Sequence, residues 1–374
     1  MKAVILTISA GGGHNTAAKA INECFSERSI ETVTIDAYKY FNKYLSDVVE
    51  NGYLFSTKYV PKLYGKFYRM AEKKSDTDIK MKMGAFGTAL VLRKFARFIA
   101  AQNADVIIAT HIFAGELLTI LREKGILDES VKTVGIVTDF TVHPFWEETN
   151  LDYYVTASEL LNYQMVKKGI PEDKILPFGI PVHPKFSKKI SKHEARGLLG
   201  VPNKDTVFVI AGSMGFGDVA HHIKNLDKSG HDFQIIAVCG NNKKLKAHLE
   251  KMKDKMNKDM FVYGFVNNVD VIMDAADCIV TKPGGLTVSE ALAKKMHLIL
   301  IDPIPGQEDR NSEFLLNCGV AIKVSETFPV DEAVHLFYDN KIKTEYYDRI
   351  IDAVAKPDAG MKLGEFVEKV CCKD

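Results

Sequence analysis

The stretch Thr281-Lys-Pro-Gly-Gly-Leu-Thr-Val-Ser-Glu290 decides the fold class, because it joins an apolar run typical of a buried strand, 278–280, to a helical pattern, 291–295. A strand that breaks at Pro-Gly-Gly and restarts as a helix leaves backbone N–H groups unpaired at the helix start, where the helix dipole also attracts anions. The pattern therefore predicts a phosphate-binding turn, with Glu290 close enough to bond a ribose diol. A tight turn capped by Thr287 is the purely structural alternative.

A second glycine loop, Ala-Gly-Ser-Met-Gly-Phe-Gly at 211–217, directly follows the apolar run 206–210. Two such turns at the ends of two strands of one sheet predict a nucleotide diphosphate held between them. The chain has no GxxxxGK[ST] motif, which disfavours a P-loop NTPase. Neither this loop nor the first turn offers the GxGxxG pattern of a nicotinamide-dependent dehydrogenase.

The amino-terminal loop Ser9-Ala-Gly-Gly-Gly-His14 also joins a strand to a helix, and it places His14 at the helix start. A helix N-terminus disfavours a charged imidazolium, so the sequence predicts a neutral His14 that can accept a proton near neutral pH. This property suits a general base. A histidine that only hydrogen-bonds its own loop is the alternative.

Length and composition indicate a two-domain protein, because 374 residues with 46% apolar content exceed what one core usually fills. No run of 18 apolar residues is present, and the chain opens on a strand pattern, so neither a membrane-spanning helix nor a signal peptide is predicted. Six cysteines without CxxC spacing predict reduced thiols. The pair His221-His222 lacks metal-ligand spacing and is expected to face solvent.

Short apolar runs alternate with amphipathic helical stretches along the chain. Continuous apolar strands of this kind belong to parallel sheets buried on both faces, which predicts an α/β fold with doubly wound sheets. The predicted strands are 4–8, 33–35, 106–109, 131–137 and 153–156 in a first series, and 207–210, 234–239, 260–263, 278–280, 298–301 and 320–322 in a second. Prolines at 178–184 and a basic stretch at 185–192 predict a linker, and after 330 the pattern is helical.

An insertion at 53–100 carries eleven lysines and arginines against three acidic residues, a net charge of +8 in a chain whose total is +1. Interleaved aromatic residues make this mixture suited to an anionic membrane surface, where each basic residue contributes on the order of 1 kcal/mol. Surface helices with aromatics facing the core are the alternative; nucleic acid would suit the same charge, but it is not a predicted partner. The residues predicted to bind the membrane are Lys62, Lys66, Arg69, Lys73 and Lys74.

The chain carries five motifs in a characteristic order: Gly11-Gly-Gly-His14; Val137-Thr-Asp139-Phe140 with His143 and Trp146; Phe178-Gly-Ile-Pro181; Lys282-Pro-Gly-Gly285-Leu-Thr-Val-Ser-Glu290; and Pro305-Gly-Gln-Glu308 with Asn311. In this order and spacing they resemble the diacylglycerol glycosyltransferases of glycosyltransferase family 28. That family includes the processive diacylglycerol β-glucosyltransferases and the monogalactosyldiacylglycerol synthases. The resemblance covers 1–324.

This resemblance implies a GT-B fold, two Rossmann-like domains facing across a cleft. The expected domains are 1–185 for lipid acceptor and membrane, 186–335 for the UDP-sugar, and 336–374 as helices that pack back on the first domain. It implies an inverting transfer of glucose or galactose from a UDP-sugar to diacylglycerol (EC 2.4.1 class), which makes membrane glycolipid. Because no DxD pair stands in the cleft-forming loops, no metal and no other cofactor is expected in the catalytic site.

Site residues carry over from the resemblance by matching motif. The expected donor-binding residues are Gly212, Ser213 and Met214 in a loop closing over the donor, Phe265 and Val266 at uracil, Pro283, Gly284, Gly285 and Thr287 at the diphosphate, Glu290 at the ribose, and Gln307 and Glu308 at the sugar hydroxyls. Gly12 and Gly13 would form the acceptor loop. His14 would take the acceptor proton, and Asp139 would orient it or share that role.

Several alternatives stay open at this point. A transferase that uses UDP-N-acetylglucosamine on a lipid-linked intermediate, or a UDP-sugar 2-epimerase, would have the same architecture. A non-catalytic membrane protein that senses UDP-sugars belongs to another class. The expected location is peripheral, on the cytoplasmic face of an anionic membrane. The sequence leaves open the choice of hexose, the number of sugars added, the exact lipid and the assignment of the base.

Overall fold

The computed structural model describes residues 1–8, 12–37, 39, 89–210, 212, 217–339 and 341–371, with the backbone alone at 89–92 and 341–344. The chain forms two compact units. The first comprises Met1–Pro184, Pro305–Gln307 and Asp358–Asp374, and the second comprises Lys185–Ile304 and Glu308–Pro357. Each unit contains a six-stranded sheet in which every strand pair is parallel. The cysteines of the described ranges are free thiols, as predicted.

The strands are β1 Lys2–Thr7, β2 Glu31–Asp36, β3 Val106–Ala109, β4 Lys132–Ile136, β5 Tyr153–Val155, β6 Ile175–Leu176, β7 Thr206–Ile210, β8 Gln234–Val238, β9 Met260–Tyr263, β10 Cys278–Thr281, β11 His297–Leu300 and β12 Ala321–Lys323. The described helices are α1 Gly13–Glu27, α2 Ala89–Ala101, α3 Ile112–Glu123, α4 Asn162–Lys167, α5 Lys192–Leu199, α6 Val219–Leu226, α7 Lys243–Lys253, α8 Val269–Ala275, α9 Gly285–Ala293, α10 Gln307–Asn317, α11 Val330–Asp339, α12 Lys341–Val354 and α13 Ala359–Cys371. Every strand predicted from the sequence is present, and β6 is an addition.

The sheet of the first unit has the strand order β2-β1-β3-β4-β5-β6. β3 is fully buried, and β1 and β4 are buried except at their first residues, as their continuous apolar sequences predict. The connection from β2 crosses β1 to reach β3, so the chain changes direction across the sheet between β1 and β3. Loops after the carboxyl ends of these two strands therefore separate and leave room for a ligand.

Helix α13, near the end of the chain, packs against α1 within the first unit. The side chain of Cys24 on α1 packs closely against Gly360, where an added Cβ would lie 2.5 Å from its sulfur. Arg28, just after α1, forms ion pairs with Glu365 and Glu368 on α13. The amino- and carboxyl-terminal helices thus cover one face of the same sheet.

The sheet of the second unit has the strand order β12-β11-β10-β7-β8-β9. Strands β8 and β9 extend it on one side of β7, while β10 to β12 extend it on the other. The topological switch point lies between β7 and β10, which are hydrogen-bonded neighbours. The two glycine turns after β7 and β10 therefore leave adjacent strands at the place where open α/β sheets bind ligands.

A buried ion pair ties α8 to the end of α9 in the second unit. Lys294 Nζ lies 2.6 Å from Asp274 Oδ2, and the two side chains are only 2% and 3% exposed. Lys294 also donates to the backbone carbonyl of Lys188. Removing one member of such a pair leaves an uncompensated buried charge, so this contact is sensitive to single substitutions.

Candidate active site

The predicted acceptor loop of the first unit ends on a helix N-terminus. Gly12 is the N-cap of α1, and its φ of 77° is a left-handed value that glycine adopts without strain. Gly13 and His14 follow as the first residues of α1, and the N-cap Gly12 offers no capping side chain of its own. The first-turn N–H groups therefore lie beside His14 at the carboxyl end of β1.

Contacts from the neighbouring loops fix the ring of His14. Its Nδ1 lies 2.8 Å from the carbonyl oxygen of Thr110, which follows β3, and 3.3 Å from Oγ1 of Thr138, which follows β4. A carbonyl oxygen can only accept, so Nδ1 is the donor and carries the proton in the neutral ring. Nε2 is then the nitrogen that can accept a proton, as a general base requires.

Burial lowers the pKa of His14 below its ordinary value, and the hydrogen bond to Thr110 opposes this shift only in part. The helix N-terminus acts in the same direction as burial, because its partial positive charge disfavours an imidazolium. The neutral form of His14 therefore prevails at neutral pH in this structure. This agrees with the charge state that the sequence predicted, while the catalytic role stays a prediction.

His111 lies beside His14, and His143 lies near enough to His111 to affect its pKa. The ring of His111 meets the ring of His14 edge-on, with 4.6 Å between the centroids. Nδ1 of His111 accepts from the backbone N–H of Phe113 and caps α3, while His143 caps the short helix Pro144–Glu148 in the same way. Burial, with smaller contributions from the charges of His14 and His143, holds the pKa of His111 well below its ordinary value.

His111 was not predicted from the sequence as a site residue. The signal for it was a polar residue at the carboxyl end of a buried strand, Val106–Ala109, immediately before a helical pattern. That placement resembles the one that singled out His14, but without the glycines.

Asp139, the other predicted catalytic residue, follows β4 and is half-buried. Its Oδ2 accepts a hydrogen bond from Nε2 of Gln307 at 3.2 Å, within the first unit. The residue that reaches His14 from this loop is Thr138, the neighbour of Asp139. The geometry thus joins Asp139 to a residue predicted to bind the sugar, and the division of roles between Asp139 and His14 stays a prediction.

In the second unit, the turn after β10 has the predicted strand–glycine–helix geometry. Gly284 is the N-cap of α9 with extended backbone angles, and as a glycine it offers no capping side chain of its own. The first N–H groups of α9, at Gly285 and the next residues, are those that an α-helix leaves without intrahelical partners. This arrangement forms a helix start suited to an anion.

Side chains from α10 hold this turn in place. Glu308 Oε2 lies 3.1 Å from Lys282 Nζ and accepts from the backbone N–H of Ile304 at 2.7 Å. Asn311, which is fully buried, donates from Nδ2 to the carbonyl oxygen of Pro283 at 3.0 Å. Glu308, predicted at the sugar hydroxyls, therefore also anchors the turn. The sequence assigned no role to Lys282 or Asn311, although both belong to its motifs.

Glu290 lies in the second turn of α9 and is half-buried. Burial raises the pKa of its carboxyl group to about 7; the charge of Lys185 lowers this pKa and that of Asp270 raises it. Lys185 and Asp270 are themselves paired at 2.9 Å. A carboxyl group with this pKa is charged only in part at neutral pH, so the strength of its hydrogen bonding depends on pH.

The second glycine loop is described only at its ends. Gly212 and Gly217 have left-handed φ values of 70° and 103°, while the predicted Ser213 and Met214 lie outside the described residues. At Gly217 an added Cβ would lie 2.8 Å from Oδ2 of Asp302, the residue that follows β11 by two positions. This close approach explains why the loop needs glycine there.

The contacts of Asp302 bear on the pair His221-His222, for which one prediction was wrong. Its Oδ1 lies 3.1 Å from Nε2 of His222, and its Oδ2 accepts from the N–H of Asp218. His222 was expected to face solvent, but it is buried on the inner face of α6, while His221 is exposed. Burial alone would raise the pKa of Asp302, yet the hydrogen bond and charge of His222 hold it below its ordinary value.

The loop after β9 carries the residues predicted at the base of the nucleotide. Phe265 is 64% exposed, and Val266 is half-buried beside it. Strand β9 is the edge strand of the sheet on the side of β7 and β8. An exposed aromatic ring at the carboxyl end of an edge strand offers a flat apolar surface to a planar ring.

Most of the basic insertion, including Lys62, Lys66, Arg69, Lys73 and Lys74, lies outside the described residues. Its described end belongs to α2, where Phe95 is fully buried in a hydrophobic core of the first unit and Phe98 packs against that core. At these two positions the aromatic residues face the core, so the membrane interpretation was wrong for them. Among the described residues, no helix is both long enough and apolar enough to cross a membrane.

Solved structures that resemble this chain define its class. MurG from Acinetobacter baumannii matches with a TM-score of 0.60 and 13% identity, covering 98% of this chain and 99% of its own. Os79 from O. sativa, solved in complex with UDP, matches with a TM-score of 0.62 and 13% identity, covering 98% and 100%. With its two six-stranded parallel sheets, the chain has the GT-B fold.

Sequence comparison then gives the family. Residues 14–182 match the monogalactosyldiacylglycerol (MGDG) synthase family, and residues 206–329 match the glycosyltransferase family 28 C-terminal domain. A processive diacylglycerol β-glucosyltransferase of Bacillus cereus (strain AH187) is 31% identical over 340 residues, which cover 89% of this chain and 85% of that protein. The chain belongs to the diacylglycerol glycosyltransferase family, as its motifs predicted.

Proposed function

We propose that this protein transfers a hexose, glucose or galactose, from a UDP-sugar to diacylglycerol with inversion at the anomeric carbon. The observation that carries this proposal is the helix start at Gly284 and Gly285, whose N-cap residue is a glycine and which lies at the switch point of the second sheet. UDP bound to Os79, which shares the fold, supports a UDP-sugar as donor. The name of the Bacillus cereus relative supports diacylglycerol as acceptor.

The donor half of the reaction depends on stabilising UDP as it leaves. We assign the diphosphate to the turn Pro283–Gly285 and Thr287, where N–H groups and the α9 dipole act on the developing negative charge. Because Glu308 pairs with Lys282, this assignment rests on the helix start rather than on the lysine. No divalent cation or other cofactor takes part in the proposed step.

The other donor contacts follow the same loops. Glu290 binds the ribose diol, Phe265 and Val266 hold the uracil, and Gln307 with Glu308 binds the sugar hydroxyls. Gly212 begins the loop that is proposed to close over the donor through Ser213 and Met214. These assignments are proposals that each substitution can test separately.

On the acceptor side, His14 is proposed as the general base. Its Nε2 takes the proton of the diacylglycerol hydroxyl while that oxygen attacks the anomeric carbon from the face opposite UDP. One C–O bond to the lipid forms as the C–O bond to the diphosphate breaks, which inverts the anomeric centre. The Thr110 carbonyl accepts from Nδ1–H and stabilises the imidazolium that results, while Asp139 orients the hydroxyl or shares the proton.

The proposed place of work is the surface of an anionic membrane, on its cytoplasmic face. Diacylglycerol does not dissolve in water, so the enzyme must reach its acceptor at the bilayer interface. The +8 charge of 53–100 supports peripheral attachment through the five basic residues named above.

The experiment that tests this function offers the purified full-length chain a choice of donors and acceptors. UDP-glucose, UDP-galactose and UDP-N-acetylglucosamine are each incubated with diacylglycerol vesicles, and lipid products are resolved by mass spectrometry and their anomeric configuration by NMR. A β-linked hexosyl diacylglycerol from an α-linked donor supports the proposal. Transfer from UDP-N-acetylglucosamine alone would favour the lipid-linked-intermediate alternative, and UDP-sugar binding without any product would favour a sensor.

A further inference from the structure

Two histidines and an aspartate converge in the second unit, outside the loops assigned to the donor. His231 lies three residues before β8, while His335 and Asp339 are four residues apart on α11 and so share one face of that helix. His231 Nε2 lies 2.8 Å from His335 Nδ1 and 3.4 Å from an oxygen of Asp339, whose other oxygen is 3.1 Å from His335 Nδ1. Each residue thus offers a ligand atom, and these atoms all lie within 4.8 Å of one another.

We infer that His231, His335 and Asp339 bind a first-row divalent transition-metal ion such as Zn²⁺. Two imidazole nitrogens and one carboxylate oxygen form a ligand set that suits zinc, copper, nickel or cobalt, whereas Mg²⁺ and Ca²⁺ prefer oxygen ligands alone. Three protein ligands leave a fourth position for water. The site is separate from the proposed transfer reaction.

The distances require only a small adjustment for metal binding. With bonds of about 2.0–2.1 Å, two nitrogens of a tetrahedral site stand about 3.3 Å apart, so the two imidazoles need to separate by roughly half an ångström. His335 and Asp339 have side chains that are 63% and 55% exposed, and His231 is 25% exposed. Both helix side chains therefore have room to move, and the site is open to ions and water.

His231 is held in position by contacts that do not involve the other two ligands. Its carbonyl oxygen accepts from Lys258 Nζ at 2.5 Å, and its N–H donates to Oγ of Ser229 at 3.3 Å. The Lys258 ammonium also lies 4.2 Å from the centroid of the Phe233 ring. Because the backbone of His231 is already held, metal binding has less conformational entropy to overcome at this ligand.

The position of the metal site in the fold indicates that a bound ion would stabilise the second unit. It lies beside the amino end of β8, whereas the proposed donor loops follow the carboxyl ends of β7, β9 and β10. Helix α11 contributes Val330, Ala333 and Val334 to the hydrophobic core of the second unit. A metal ion would join the opposite, exposed face of this helix to the segment before β8. Binding to the folded state alone would then stabilise this unit.

This site could not be predicted from the sequence, in which no metal ligand was assigned. His231 is 104 residues from His335, and a histidine four residues before an aspartate on a helix is a common surface pair. Only the packing of α11 beside the entry to β8 brings the third ligand to the other two.

The test uses the tag-free, full-length chain, dialysed against chelator and titrated with ZnCl₂ in a calorimeter. Co²⁺ titration adds a visible absorption spectrum that reports nitrogen and oxygen ligands directly. We expect one ion per chain, at least a tenfold loss of Zn²⁺ affinity in His335→Gln and in Asp339→Asn, and a rise in unfolding temperature with Zn²⁺ in the parent and the control but not in these two variants. His248→Gln, which removes an exposed histidine from α7, is the matched control.

Three outcomes would overturn the inference. The parent could bind no Zn²⁺ saturably, the two site variants could keep the affinity of the parent, or the control variant could lose as much affinity as they do. In the last case Zn²⁺ would be binding to surface histidines in general. Because both site variants change exposed side chains, their folding can be checked by circular dichroism before titration.

Discussion

Replacing His14 with glutamine tests the proposed base directly. The Thr110 carbonyl fixes the proton of the neutral ring on Nδ1, so the ability to accept a proton rests on Nε2 alone. Glutamine can still donate a hydrogen bond but accepts no proton near neutral pH. We expect kcat to fall by about 10²–10⁴-fold, equivalent to about 2.7–5.4 kcal/mol of transition-state stabilisation. UDP affinity should stay unchanged, because the residues assigned to the diphosphate and ribose belong to the other unit.

The pH dependence of kcat provides a second readout of the same group. Because the pKa of His14 lies below its ordinary value of 6.5, the ring is neutral at neutral pH and becomes charged only as the pH falls below that value. The parent's kcat should therefore be level above about pH 6.5 and fall in acid. The measurement uses saturating UDP-sugar, because the ionisation of Glu290, whose pKa is about 7, is proposed to affect donor binding and not turnover. His14→Gln should abolish the acid limb.

His248→Gln and Asp139→Asn complete this experiment. The first removes an exposed histidine of α7 and should leave turnover and its pH profile unchanged. The second distinguishes the two proposed roles of Asp139. If His14→Gln keeps the parent's turnover while Asp139→Asn loses it, the base is Asp139, and the reasoning from the tautomer of His14 is refuted.

Glu290→Ala is expected to weaken UDP binding by about 2–3 kcal/mol at about pH 8, because a carboxyl group with a pKa of about 7 is mostly charged there. When calorimetric titration is repeated at about pH 6, the affinity of the parent for UDP should fall and that of the variant should not. Lys294→Met should lower the free energy of unfolding in urea by about 3–5 kcal/mol, and adding Asp274→Leu should recover most of this loss, because the buried carboxylate is then gone as well. Anionic vesicles should bind the parent more tightly than neutral ones, and binding should weaken with salt and in a variant with glutamine at Lys62, Lys66, Arg69, Lys73 and Lys74.

Each of these expectations has a clear contrary result. Unchanged UDP affinity in a folded Glu290→Ala variant would remove this residue from the donor site. An unfolding curve for Lys294→Met that matches the parent would mean that the buried pair contributes little. Equal binding to neutral and anionic vesicles, or no loss in the five-fold variant, would assign the insertion to ordinary solvated helices.

The sequence predicts most of the strands because continuous apolar runs are unambiguous in buried parallel sheets. β6 was missed because Ile175–Leu176 is only two residues long, too short for any periodicity to be visible. His222 was misplaced for a different reason. Its neighbours on α6 at helical spacing are Val219, three residues before it, and Leu226, four residues after it, and both are buried, as is Ile223. The period of 3.6 residues would have put it on the inner face, and the lack of metal-ligand spacing said nothing about burial.

Some features of the candidate site could likewise be predicted from the sequence, and others could not. A glycine turn between a strand and a helix is a local feature, so the helix starts at Gly13 and Gly285 could be predicted from the sequence alone. The pairing of Lys282 with Glu308 could not, because it depends on α10 returning to the turn after β10. The shift in the pKa of Glu290 is likewise a result of packing, since burial is its main cause.

In both units a group from another loop holds part of the candidate site in position. The carbonyl of Thr110, after β3, selects the tautomer of His14, after β1; Asp302, after β11, holds the end of the loop that follows β7. Such partners are set by strand order, and strand order is a property of the whole sheet. At the switch points β1 and β3, and β7 and β10, are neighbouring strands, so their carboxyl ends lie at the same edge of each sheet. A sequence can therefore indicate candidate loops, while the fold decides which tautomer and which conformation their residues adopt.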